Sequence, residues 1–197
     1  RPSRSVWLGL ALLLGLVAAP LVLSEFSITL LNYIGLASLV VLGLVLLTGV
    51  SGLTSFGQAA FVGLGAYTTA VLTTSTGLPS SVAWLGASPW LSLFAGLILT
   101  VAVATALGFL TLRLSGHYLP LGTIAWGISL YFLFGTSEML GGHTGRGGLP
   151  PISLFGRPLE SGREIFYLIW VFILVAVLTT RNLLDSREGR AIRALKG

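Results

Sequence analysis

The sequence predicts an all-α, polytopic integral membrane protein with about six transmembrane helices, one of them preceded by a Gly-rich, broken or re-entrant element. Three observations carry this. The chain is 54% hydrophobic and only 9% charged, with a mean hydropathy of +0.95, a composition of membrane-embedded chains. From Phe26 to Leu112 it has no Lys, Arg, Asp or Glu; a water-facing surface needs charge, whereas a charge at the bilayer centre costs ~2.5–3.5 kcal/mol on insertion scales. Within this stretch, the run from Gly52 to Tyr67 (GLTSFGQAAFVGLGAY) is too polar and too rich in Gly for ordinary lipid-facing helix.

A crossing helix needs ~20 apolar residues, and the candidate spans are Val6–Leu23, Ile28–Thr48, Gln58–Thr73, Trp90–Leu112, Tyr118–Phe134 and Ile165–Thr180. The third, fifth and sixth are short, which suits little tilt, extension into the interface or a discontinuous helix. Arg1–Leu23 has the basic start and apolar run of a signal peptide, but more membrane sequence follows, so it reads as an uncleaved first span. The chain begins at Arg1, has its only Met at 139 and stops after a basic segment, as a fragment of a longer protein would.

Six spans place both ends on one side, together with Arg1, Arg4, Arg113 and the basic tail; Arg181, Arg187, Arg190, Arg193 and Lys196 all follow Thr180. The other side receives Glu25, the uncharged loop Thr74–Pro89 and a Gly/Pro-rich loop from Gly135 to Glu164, in which Arg146, Arg157 and Arg163 balance Glu138, Glu160 and Glu164. The positive-inside rule then makes both ends cytoplasmic. Trp7, Trp84 and Trp90 fall near predicted interfaces, as an aromatic belt requires, whereas Trp126 and Trp170 lie deeper. The positives form a membrane flank, not a nucleic-acid patch.

In the Gly-rich element, Thr48-Gly49-Val50-Ser51-Gly52 lets the backbone leave the second span. Irregular backbone at membrane depth is tolerated only where protein or a water-filled cavity satisfies it. Ser55 is read as the N-cap of the next helix, with Gly57 and Gln58 at its start; the positive dipole end and free N–H groups of such a half-helix suit an anionic group such as a carboxylate. Ser55, Gly57 and Gln58 are the candidate substrate path. For Ser55 and Gln58, pore lining and structural capping both stand. Ala59, Gly63, Ala66 and Ala70 follow at spacings of 4, 3 and 4 and make a stripe of small residues for close helix packing.

Other chemistries find little support. There is no Cys, and His117 and His143 are the two His, which removes thiolate chemistry and leaves no metal site. Gly49-Val50-Ser51-Gly52 fits the Gly-x-Ser-Gly of rhomboid-like intramembrane proteases, but neither His sits at membrane depth to serve as base. A secondary transporter usually keeps an embedded acid or base for ion coupling, and no predicted span holds one. The chain carries no phosphate-binding loop for ATP.

Four motifs in order resemble the permease family of branched-chain amino-acid ABC importers. Gly52…Ser55-Phe56-Gly57-Gln58-Ala59-Ala60-Phe61…Gly63-Leu64-Gly65-Ala66-Tyr67 is similar to that family's Gly-Gln-Leu-Ser-Leu-Gly-His-Ala-Ala-Phe and Gly-x-Gly-Ala-Tyr. Leu112-Arg113-Leu114-Ser115-Gly116-His117-Tyr118, followed by Gly122-Thr123-Ile124-Ala125, resembles Leu-Arg-Leu-x-Gly-x-Tyr and Thr-Leu-Ala. Gly141-Gly142…Gly145-Arg146-Gly147-Gly148-Leu149-Pro150 resembles its outer loop, and Ser186-Arg187-Glu188-Gly189-Arg190-Ala191-Ile192-Arg193-Ala194 resembles Ser-x-x-Gly-Arg-Ala-x-x-Ala. Leu53, Thr54, Val45 and Ile128 depart from the pattern.

The resemblance implies a transmembrane permease subunit, not an enzyme, in a bacterial plasma (inner) membrane, importing branched-chain amino acids or related small polar solutes; a urea or short-amide permease of the same family is the alternative. Residues 1–180 would be a partial permease domain and 181–197 a cytoplasmic basic segment, with roughly the last third of a family member still to follow. The implied partners are a second permease subunit, two ATPase subunits, an extracytoplasmic substrate-binding protein and the lipid bilayer, with no nucleic acid; no cofactor is bound by this chain, and ATP is used by the partner subunits. Arg146 is the candidate contact with the binding protein, the alternative being a solvated turn, and Gly189, Arg190, Ala191 and Arg193 form a candidate coupling segment that docks in the ATPase, a reading compatible with a plain basic flank.

Overall fold

The computed structural model describes residues 14–53, 55–75, 78–111, 118–154 and 156–194. Trp7, Thr54, the Leu112–His117 stretch and Lys196, named above, lie outside the described residues, as does the first span before residue 14. The described chain is helical almost throughout. Helix α1 covers 14–22, α2 Glu25–Leu44, α3 Gln58–Thr74, α4 Ser80–Ala83, α5 Pro89–Thr111, α6 Tyr118–Thr136, α7 Gly162–Asp185 and α8 Arg187–Ala194. A two-residue hairpin, β1 (Ser153–Leu154) with β2 (Arg157–Pro158), pairs Ser153 with Pro158 and Leu154 with Arg157.

Four helical stretches among the described residues are long and apolar enough to cross a membrane: Glu25–Val50, Pro89–Thr111, Tyr118–Thr136 and Gly162–Asp185. At 17 residues α3 spans roughly 26 Å, slightly less than a ~30 Å hydrocarbon core. The sixth predicted span is longer than expected, since α7 has 24 residues. Its start is set by a capping box: the Ser161 hydroxyl accepts the Arg163 N–H, and the Glu164 carboxylate accepts the Ser161 N–H. It also runs past Thr180 to Asp185, so the break before the basic segment falls at Ser186.

The chain forms two compact units. One joins the described residues of Arg1–Gly43 to Leu159–Arg193. Here α2 and α7 run parallel, since Asn32 meets Gly162 while Gly35 meets Ile169 and Ile173. A Cβ at Gly35 would lie 2.8 Å from Ile169 Cγ2, so glycine permits this approach. Ile28 and Phe166 are fully buried at the seam. The Asn32 amide nitrogen donates to the Gly162 carbonyl at 2.9 Å, and Glu25 pairs with Arg163 at 2.8 Å at the helix starts. The Tyr167 hydroxyl donates to the Val17 carbonyl and ties α1 to α7.

The second unit comprises Leu44–Pro158, with the chain end. Its centre is an antiparallel seam between α3 and α5, with Gly65 opposite Gly96 and Thr69 opposite Ser92. A Cβ on Gly96 would stand 2.9 Å from the Gly65 carbonyl oxygen and 3.0 Å from Thr69 Oγ1. The hydroxyls finish the seam: Thr69 donates to the carbonyls of Gly65 and Ser92, and fully buried Ser92 donates to those of Leu85 and Ser88. Helix α6 runs parallel to α3. Gly57 packs against Thr123 at one end and Gly63 against Phe134 at the other, where the Tyr67 and Phe134 rings stack with centroids 4.9 Å apart.

Lipid offers no hydrophobic drive for helix association, so this seam depends on small residues and backbone proximity. Gly96→Leu is expected to destabilise the protein by about 1–3 kcal/mol, the usual range for overpacking. Gly108→Ala, in the same helix with nothing within 4 Å of the added carbon, is expected to leave stability unchanged or slightly raised. Thermal unfolding of both variants in detergent checks the contrast.

Candidate functional site

Beyond Leu44 the helix widens into a π-helical turn over Val45–Val50 and then ends. Its orphaned carbonyls are met locally. Thr48 Oγ1 donates to Leu44 O, Ser51 Oγ to the carbonyls of Leu47 and Leu46, and the Ser51 and Leu53 N–H groups to Leu46 O and Leu47 O. Ser51 is buried in this backbone work, so the Gly-x-Ser-Gly match is a helix terminator and not a nucleophile. Gly52 then turns the chain with φ of +73°, a left-handed conformation that glycine adopts without a Cβ penalty.

The chain re-enters the helical state at Gln58. The N-cap is Gly57, with no side-chain cap. This corrects the expectation for Ser55: a capping oxygen must sit immediately before the first helical residue to reach the N2 or N3 amide, and Ser55 lies too early. Gly57 is buried, and a Cβ there would stand 3.1 Å from the Thr123 carbonyl oxygen, so its glycine is needed for contact with α6. The Phe56 N–H donates to Thr123 Oγ1 at 3.1 Å, and the Thr123 hydroxyl donates onward to Pro120 O at 2.8 Å. Thr123, quoted only as part of a motif, is thus the side chain that holds the re-entrant backbone.

This contact sets the depth of the element. At ~1.5 Å per residue, Thr123 and Gly127 lie roughly 8 and 14 Å along α6 from Tyr118, and Gly57 packs between them. Helix α3 therefore begins part-way along a membrane-length helix. Ser55 and Gln58 are both half-buried, and their side chains make no hydrogen bond among the described residues. Next to them, Phe56, Ala59, Ala60, Ile124, Gly127, Ile128, Tyr131 and Phe134 line a groove of about 360 Å³ between α3 and α6.

The stripe of small residues divides. Gly63 and Ala70 pack inward, Gly63 so closely that a Cβ would lie 2.7 Å from Phe134 Cε2. Ala59 and Ala66 are exposed, and Ala59 lines the groove. The close backbone approach between α3 and α5 runs instead through Gly65 and Gly96. Its signal, Gly65-x-x-x-Thr69 facing Ser92-x-x-x-Gly96-x-x-x-Thr100, is readable at the same spacing.

The loop after α6 is held by its own hydrogen bonds. Two short 3₁₀ turns, Glu138–Leu140 and Gly142–Thr144, are joined by Gly141 with φ of +90°. A Cβ on Gly141 would fall 2.3 Å from the Gly145 carbonyl oxygen. Arg146 Nη1 donates to the Met139 carbonyl at 2.5 Å and braces the turn. Trp90 Nε1 donates to Ser153 O and fastens the hairpin to the start of α5.

At the other end, α7 gives way to α8 at Ser186. The Ser186 hydroxyl accepts the Gly189 N–H and donates to Leu183 O. The Glu188 carboxyl is held below the ordinary value, chiefly by a backbone hydrogen bond and then by Ser186. Gly189 is buried, and a Cβ there would lie 2.2 Å from Leu183 O, so its small size serves the corner itself. Arg190 and Ala191 are exposed, with Arg190 Nη1 donating to Asp185 O. The Arg193 side chain lies outside the described residues.

Residues 26–197 match the family described as branched-chain amino acid transport system / permease component. The chain is 33% identical to the high-affinity branched-chain amino acid transport system permease protein LivM of Salmonella typhimurium strain LT2, an alignment covering 95% of this chain and 48% of that protein. It is 32% identical to LivM of Escherichia coli strain K12, over 94% of this chain and 47% of that protein. The chain thus spans about half the length of the curated relatives it matches. No solved structure matches it. A multi-pass arrangement of apolar helices, a helix that begins part-way along its neighbour, and a family match over most of the sequence lead to one conclusion: the chain belongs to the permease components of branched-chain amino acid transport systems.

Proposed function

We propose that this chain forms part of the conduit of an ATP-driven importer for branched-chain amino acids in a bacterial inner membrane, and that the start of α3 lines the path. The observation that carries this is the pair of accessible polar side chains, Ser55 and Gln58, without partners among the described residues at the foot of a helix that begins part-way along α6. In hydrocarbon, such groups are costly unless water or a passing solute reaches them. A zwitterionic amino acid needs hydrogen-bonding groups for its carboxylate and ammonium, and this segment offers them without a buried formal charge. Gly57 supports the path from behind, by letting the backbone lie against Thr123.

The surrounding assembly follows the same reading. A second permease subunit completes the conduit, two ATPase subunits supply the energy, and a substrate-binding protein delivers the solute from outside. The braced loop around Arg146 presents one fixed shape to that binding protein. Both ends of the chain are placed in the cytoplasm, with Arg187 and Arg190 among the clustered positives. Helix directions support the alternation: Glu25 pairs with Arg163, and Trp90 bonds to Ser153, each joining segments assigned to the outer side.

Two experiments on the assembled importer in proteoliposomes test the reading. Gln58→Leu removes a hydrogen-bonding group of similar bulk. It is expected to lower uptake about tenfold, matching loss of one hydrogen bond to a charged group, with normal complex yield; uptake at the wild-type rate removes Gln58 from the path. For coupling, Arg190→Glu and Ala191→Trp alter the exposed face of α8. Both are expected to leave ATP hydrolysis running while transport falls severalfold, and normal transport in both variants excludes this face as the docking surface.

A further inference from the structure

The groove beside Ser55 and Gln58 has a composition that the path itself does not require. We propose that it receives the branched aliphatic side chain of the transported amino acid while the polar head of that amino acid sits at Ser55 and Gln58. This assignment rests on the permease reading above and adds to it a set of residues that select for side-chain size.

Phe56, Ala59 and Ala60 contribute one wall of the groove, and they interleave in sequence with the two unpartnered polar residues. Groove and polar groups therefore lie within one helical turn of each other. The opposite wall is α6, through Ile124, Gly127, Ile128, Tyr131 and Phe134, positions spaced to share one helical face. Every lining side chain is apolar except for the Tyr131 hydroxyl.

Size comes next. At about 360 Å³ the groove sits at the small end of the range for small-molecule sites, roughly 300–1,000 Å³. Its room depends on two positions with almost no side chain. Ala59 is exposed into it, and a Cβ added at Gly127 would meet only the Gly57 Cα at 3.7 Å and the Phe56 carbonyl at 3.8 Å, ordinary contacts. A single methyl group at Gly127 would fit without disturbing the backbone, so packing does not demand glycine at that position.

A lipid tail is the competing occupant, and the adjoining chemistry disfavours it. An acyl chain lying in the groove would press hydrocarbon against Ser55 and Gln58, whose polar atoms have no partner among the described residues. A solute with an apolar arm and a polar head satisfies both halves at once.

The test uses the complete importer in proteoliposomes, with the binding protein saturated by leucine or by valine so that capture does not limit the rate. Leucine and valine differ by one methylene, and one methylene in an apolar pocket is worth about tenfold in discrimination. Ala59→Leu, which fills the groove, is expected to lower leucine uptake about tenfold relative to valine uptake. Ile128→Ala, which enlarges it, is expected to shift the ratio toward leucine. Should Ala59→Leu fail to assemble, Gly127→Ala makes the same measurement with a single methyl group and no clash. A leucine-to-valine ratio unchanged in the assembled variants overturns the proposal, whether total uptake is normal, as lipid occupancy predicts, or equally reduced for both, as a packing role predicts. In either case wild-type uptake leaves the permease reading intact. A wild-type complex that imports neither amino acid overturns both.

Discussion

A backbone that leaves the helical state inside a bilayer must find a hydrogen-bond partner for every exposed N–H and C=O, because the lipid supplies none. The segment between Val50 and Gln58 is where this chain meets that demand, and much of the second compact unit is arranged around it. On the entry side, the hydroxyls of Thr48 and Ser51 cap the carbonyls released by the π-helical turn. On the exit side, the Phe56 N–H is taken by Thr123 of α6. Thr123 can do this only because Gly57 lets the two backbones come within contact distance. The remaining polar side chains, Ser55 and Gln58, are left for something else to satisfy, and the functional reading grows from that remainder.

The same economy of side chains holds α3 in place. Helix association in lipid gains nothing from burying apolar surface, so contact is made by bringing backbones close and joining them through hydroxyls. Gly65 and Gly96 provide the approach, and Thr69 and Ser92 provide the bonds. The second unit is therefore closely packed where α3 meets α5 and open where α3 meets the middle of α6. This close seam beside an open groove arises from the placement of Gly and Ala.

Much of this was legible in the amino-acid sequence, and the parts that were not have physical causes. The uncharged run from Phe26 to Leu112 announces the membrane, and the Gly/Ser cluster at 48–52 announces the break, because hydropathy and glycine are local signals. The helix start at Gln58 is legible, but its cap is Gly57 and not Ser55, because Gly57 lies against Thr123 in a tertiary contact that no local pattern encodes. The start of α7 is legible in Ser161-x-x-Glu164, whereas apolar content alone places the span later. Of the small-residue stripe on α3, Gly63 and Ala70 pack inward while Ala59 and Ala66 are exposed. Small residues, Ala and Gly together, occur on more than one face of α3, and only the partner helix decides which is used. Asn32 gave a signal as a lone amide in an apolar span, yet its acceptor, the Gly162 carbonyl, lies far away in sequence. Arg146 drew notice as a cation in a Gly-rich loop, and its brace to Met139 depends on left-handed glycines that close the turn.

The central claim is that the start of α3 meets an aqueous, substrate-bearing path within the membrane. The chain has no cysteine, so single cysteines can be introduced at will. The most direct measurement is the reaction of Ser55→Cys and Gln58→Cys with a small, membrane-impermeant thiol reagent in the assembled importer, with and without substrate-loaded binding protein and ATP. The account predicts that both positions react and that the rates change severalfold during turnover, while Gly108→Cys, on the open face of α5, stays unreactive. Equal silence at all three positions, with reaction only toward a lipid-soluble reagent, would contradict it.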